Sequence, residues 1–352
     1  MTGVTTTAPT RRLPAGRTAL VLLVLLLAVL VLGAAVGDVP LPPGEVARAV
    51  FHRLVPPLVA PPVDPLTSEF VWELRLPRVL LAALVGASLS VAGVALQGLL
   101  GNPLADPYTI GVSSGAAVGA GAAIFLGIGG ALAGFALPLC AFAAALATMA
   151  LVFALARVGG QLHTASFLLA GIVAGSFLWA LTTLLLALKR EAQSQILLWL
   201  MGRFSDADWQ RVALLAPVAL GAAALFAWAG RGLDAFSFGE DTARSVGVDV
   251  ERFKAGILTL AALVTAVAVS VSGIIGFVGL VVPHTARQLI GPPHRPLVPV
   301  AALLGALLTV GADLLARTVR GNGEELPVGV VTALIGAPFF AYLLRRQTQR
   351  DG

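Results

Sequence analysis

The chain has 352 residues, of which 58% are hydrophobic and only 12% charged, with a mean hydropathy of +0.93 and a formal net charge of +5. That composition excludes an ordinary soluble domain. A single cysteine, Cys140, excludes an intrachain disulfide and a Cys-rich metal site, and His52, His163, His284 and His294 form no HExxH pair. The positive charge sits in arginines flanking apolar runs rather than in a basic stripe, so no nucleic-acid partner is expected.

Residues 1–17 form a Thr-rich polar tail with Arg11, Arg12 and Arg17, and Thr18–Val36 is apolar. At about 19 residues the run exceeds a signal-peptide core, which favours a retained span. Asp38–Glu73 is rich in proline and reads as an extramembrane loop, before a second span at about 79–100. Gly101–Pro107 is a turn-forming break. No charge occurs from Pro107 to Ala156, a stretch longer than two bilayer crossings at about 20 residues each. It divides at Gly127–Gly134 into a third and a fourth span. Arg157–His163 is a short polar connection, 164–188 a fifth span, Lys189–Arg211 a loop and 212–229 a sixth span.

Arg231–Lys254 carries nine of the 41 charged residues. Within it, Phe238–Gly247 reads as a short helix, with Ser237 or Gly239 as cap, Glu240 and Asp241 in the first turn and Gly247 as a left-handed stop. Asp249 reads as the N-cap of the next helix, with Glu251 in its first turn. A charged helix between spans is a handle for a soluble partner or a solvated connection; spacing alone leaves both open. A seventh span at about 255–272, a shorter broken eighth at 275–290, a ninth at 297–315 and a tenth at 327–344 follow.

The expected class is an all-α polytopic membrane protein of about ten transmembrane helices. Residues 18–345 form one transmembrane domain between the tails 1–17 and 346–352. The apolar runs are continuous rather than alternating, which disfavours a β-barrel. Ten spans put both termini on one side. Placing them in the cytoplasm puts 13 of the 23 Lys/Arg but only 7 of the 18 acids inside. Loops 38–76 and 189–211 are then outside, and 231–254 is inside. Gly86, Gly93 and Gly98, and Gly111, Gly115 and Gly119, are spaced for close helix contact.

The span centres lack Asp, Glu, Lys and Arg, which weakens an ion-coupled mechanism. Lys189 and Lys254 are the only lysines, and neither completes a G-x-x-x-x-G-K-[ST] phosphate loop. If ATP energises transport, another subunit supplies it. Nothing at bilayer depth resembles an enzyme's acid–base or nucleophile constellation.

Several blocks resemble permease subunits of bacterial ABC importers for iron-siderophores, haem and vitamin B12, the type II importers. They are LRLPRVLLAALVGASLSVAGVALQGLLGNPLADPYTIGVSSGA at 74–116, LLAGIVAG at 168–175, LLWLMGRF at 197–204, GEDTARSVGV at 239–248, GFVGLVVPHTAR at 276–287 and ELPVGVVTALIGAPFF at 325–340. The resemblance covers roughly residues 70–340. It implies a pair of permeases, identical or related, in a bacterial inner or plasma membrane. It also implies two cytoplasmic ATPases, which hold the ATP and magnesium, and an extracytoplasmic binding protein. This chain is expected to bind no cofactor. By resemblance, Gly239, Glu240, Ala243, Arg244, Val246 and Gly247 belong to the ATPase-coupling element. Asn102, Leu104, Thr164 and Ala165 belong to the cytoplasmic gate, although the vitamin B12 importer carries a hydroxyl residue where this chain has Ala165. Arg75 and Arg78, with Arg317 or Arg320, are implied to dock carboxylates of the binding protein. An iron-siderophore is the first substrate expectation, with vitamin B12 or haem as alternatives. A secondary transporter or channel is the competing class.

Overall fold

The computed structural model describes residues 13–37, 40–55, 65–158, 161–319 and 324–351. In chain order its helices are α1 (Ala15–Ala35), α2 (Pro43–Leu54), α3 (Pro65–Phe70), α4 (Leu76–Leu99), α5 (Val112–Phe125), α6 (Ala136–Ala156), α7 (Thr164–Leu188) and α8 (Arg190–Leu200). They continue as α9 (Trp209–Trp228), α10 (Gly230–Phe236), α11 (Glu240–Ser245), α12 (Val250–Ser272), α13 (Val278–Ile290), α14 (His294–Thr318) and α15 (Val328–Asp351). Seven helical stretches are long and apolar enough to cross a membrane: α1, Leu66–Leu99, α6, α7, α9, α12 and α14. Two shorter apolar helices, Val112–Phe125 and Val328–Tyr342, and the 13-residue α13 complete a set consistent with ten spans. The strand pairing described is a two-residue antiparallel ladder, Arg157–Val158 against Gln161–Leu162.

Two segments read as loops are largely helical. The region 38–76 contains α2 and α3, and Val71–Arg75 is a π-helical turn that runs α3 into α4. The region 189–211 contains α8, whose Ala192, Ile196 and Trp199 are buried. Proline and charge density marked both as extramembrane, but an amphipathic helix lying on a bundle end carries the same composition.

α4 is the axis of the molecule: 78% of its most apolar window is buried, against 22% for α7. Small residues make this possible. A Cβ on Gly86 would strike the Gly305 carbonyl and the Thr309 hydroxyl, and one on Gly93 would strike the Gly279 carbonyl. α4, α13 and α14 therefore touch backbone to backbone. The chain breaks after α12 because Gly273 (φ 72°) and Phe277 (φ 68°) adopt left-handed or mirror-extended backbone. The freed polar groups are paired. Arg203 N donates to Ser272 O at 2.8 Å, and the Tyr108 hydroxyl donates to Ile275 O and accepts from Ile275 N. Irregular backbone at this position is tolerated because protein satisfies it.

The helix connections gather at two ends of the bundle. At the Leu13 end, Leu13 N donates to Leu289 O, and the connection 101–107, Leu162 and the segment 230–249 lie on the same side of the bundle. At the Arg75 end lie the last turn of α1, the π turn and the start of α15.

Candidate functional site

At the Leu13 end, α11 is punctuated as its sequence predicts. Gly239 enters it at φ 102° and Gly247 leaves it at φ 88°, and Asp249 Oδ1 accepts from Arg252 N at 3.2 Å to cap α12. Ser237 does not cap α11; its hydroxyl turns back to Leu233 O on α10. Six residues give α11 one inward face. Ala243 is 0% exposed and packs into the core, so it anchors the helix instead of lining a partner surface, a correction to its expected role. Arg244 and Val246 are exposed, with Val246 at 65% and the neighbouring Phe238 at 79%. Sequence reading passed over Phe238, although a large aromatic beside a charged surface helix was the available signal.

Glu240 turns sideways to Lys254. The Lys254 ammonium is buried, 3.1 Å from Glu240 Oε2, 3.2 Å from Glu251 Oε1 and 2.7 Å from the Leu162 carbonyl, to which it donates. Leu162 N donates to Glu251 Oε2 at 2.9 Å.

The four residues expected at the gate lie at this end, two in the connection after α4 and two in the first turn of α7. Asn102 Oδ1 accepts from Leu104 N at 2.9 Å, fixing the turn in which Leu104 projects. Thr164 and Ala165 open α7, and Ala165 is exposed. The first connection is held from below. Gln97 Nε2 donates to Ala105 O at 3.2 Å and to Leu280 O at 3.3 Å, and Gln97 accepts from Arg287 of α13. Asp106 caps Tyr108 N at 2.7 Å, and burial pushes its carboxyl up to about 6. A cavity of about 410 Å³ lies between this connection and α7, lined by Tyr108, Thr109, Gly111, Ser114, Gly171 and Trp179 among others.

At the Arg75 end, Arg75, Arg78, Arg317 and Glu325 meet around one cavity of about 370 Å³. Each guanidinium already has partners. Arg75 Nη1 donates to Ala34 O at 2.9 Å and Ala35 O at 2.8 Å, and the group lies 4.8 Å from the Phe70 ring centroid. Arg317 donates to Val36 O and Gly33 O, both at 3.0 Å, and pairs with Asp313 at 3.1 Å. Those carbonyls end α1 and have no intrahelical donor, so Arg75 and Arg317 cap α1. Arg78 differs. One edge pairs with buried Asp313 at 2.8 Å, and the other makes a two-pronged contact with exposed Glu325 at 2.7 and 2.9 Å. Arg320 lies outside the described residues. Among the described residues, no three His, Cys, Asp or Glu side chains converge as metal ligands.

A ten-span bundle with a charged surface helix at one end and no phosphate loop of its own defines the transmembrane subunit of a transporter. Residues 24–346 match the profile of the FecCD transport family, and the chain belongs to that family. It is 46% identical over 320 residues to an uncharacterised ABC transporter permease of Bacillus subtilis strain 168, covering 90% of each chain. It is 41% identical over 358 residues to the cobalamin import system permease of Halobacterium salinarum, covering 93% of this chain and 95% of that one. A solved structure described as an inward-facing metal-chelate type ABC transporter superposes with a TM-score of 0.82 at 31% identity, covering 94% of this chain and 99% of that one. The protein is thus a multi-span ABC importer permease, a transport subunit and not an enzyme, and an ion-coupled secondary transporter is not favoured.

Proposed function

We propose that this chain is one of two permeases in an ATP-driven importer of a metal chelate, with an iron-siderophore as first choice and cobalamin or haem as alternatives. The observation that carries the ATPase part is α11: Ala243 roots it in the core while Phe238 and Val246 project from a chain with no nucleotide site of its own. An exposed apolar pair rimmed by charge suits a protein contact. The second permease, a further copy or a related chain, fits the sparsely buried α7, where Leu169, Ile172, Val173 and Phe177 are exposed. The binding protein docks carboxylates at the Arg75 end, with Arg78 as the accessible contact. The setting is a bacterial inner or plasma membrane with both termini cytoplasmic. The chain binds no cofactor, and ATP and magnesium sit on the partner ATPases.

The metal-chelate reading is supported by the solved relative of that description, and the cobalamin alternative by the Halobacterium salinarum relative. The test is reconstitution of the chain with its ATPase and binding protein in liposomes, offered ferric siderophore, cobalamin or haemin in turn. ATP-dependent accumulation of the ferric siderophore is expected. Uptake by the chain alone, driven by an ion gradient, overturns the proposal. Preferential uptake of cobalamin or haemin moves the substrate assignment.

A further inference from the structure

We infer that Lys254 ties α11 to the connection that opens α7, so that the two move as one body. This rests on the reading of α11 as the ATPase contact and of Thr164 and Ala165 as gate residues, and it adds the element that joins them. An ammonium has three donors. Here its three partners come from three places in the chain: Glu240 of α11, Glu251 of α12's first turn and the Leu162 carbonyl, 92 residues away in sequence. Leu162 stands two residues before Thr164. Glu251 Oε2 also accepts from Leu162 N, so both polar groups of that peptide pair are held by the α12 side. Lys254 is 4% exposed, and a buried ammonium is tolerated only while its partners remain in place. Displacing α11 alone would strip Glu240 from a buried charge. Displacing α11, the first turns of α12 and the Leu162 segment together keeps every contact. The cheaper movement is the joint one.

Lys254 is therefore a positioning residue, and its test needs a readout that simple stabilisation would not move. Spin labels are placed at the exposed positions Arg157 and Ser245 in a Cys140→Ala background of the full transporter in lipid nanodiscs. With Lys254 present, the label distance is expected to stay constant between the nucleotide-free and ATP-bound states. In Lys254→Met it is expected to change between them, and substrate imported per ATP hydrolysed is expected to fall roughly tenfold. A Lys254→Met transporter with a constant distance and an unchanged import ratio overturns the inference. If Lys254→Met does not assemble, Glu240→Gln serves. It weakens only the α11 arm, and the same two readouts decide. Val246→Asp separates the underlying reading. If it leaves ATPase binding and import intact, α11 is not the coupling contact. If it abolishes both while Lys254→Met and Glu240→Gln change nothing, the reading stands and the tie is wrong.

Discussion

Arg317 donates from Nη2 to the Gly33 carbonyl at 3.0 Å, joining residues 284 apart in sequence. The same guanidinium pairs with Asp313, which is fully buried. Removing it frees the Gly33 and Val36 carbonyls at the end of α1 and leaves a buried carboxylate with Arg78 as its remaining cation. Arg317→Met is therefore expected to destabilise the fold by about 3 kcal/mol or more, seen as a lowered midpoint of thermal unfolding in detergent. An unchanged midpoint would show that α1 does not depend on this cap.

Glu325 occupies the outer edge of Arg78. A docking carboxylate from the binding protein must compete with it. Glu325→Gln is expected to tighten docking roughly threefold at low salt, with the gain fading at high salt, as measured by surface-immobilised binding. Weaker docking, or a gain insensitive to salt, would count against Arg78 as the contact.

Phe238 and Val246 project into solvent beside a core-anchored helix. Phe238→Asp or Val246→Asp is expected to leave permease stability within about 0.5 kcal/mol. Co-purification of the ATPase should be lost. A stable variant that still retains its ATPase would place the contact elsewhere.

The carboxyl of Asp106 is raised from 3.8 to about 6 by burial. A folded-state value above the unfolded one means the folded protein binds the proton more readily, so this group favours folding increasingly as pH falls towards and below 6. Above that the charged carboxylate is a cost. Asp106→Asn keeps an acceptor for Tyr108 N and removes the charge. It is expected to be more stable than the wild type at pH 7.5, by on the order of 1 kcal/mol or more, with the gap narrowing as pH falls through 6 and closing only near pH 4. Thermal melts at the two pH values check the sign.

The sequence by itself determined the spans, the break near residue 273 and the punctuation of α11. These follow from local physics: a bilayer demands long uncharged runs, and left-handed backbone favours glycine. It also placed Arg75, Arg78 and Arg317 near one face, since charges gather where spans end. Only the tertiary structure decided which of those arginines cap α1 and which pairs with Glu325 at the cavity. It alone turned Ala243 inward and made Lys254 a junction. Two physical reasons explain the division. Lipid is as apolar as a protein core, so hydrophobic periodicity does not reveal which face of a span is buried. A buried charge, in turn, is settled by partners that the chain brings from far away, as Leu162 meets Lys254 across 92 residues.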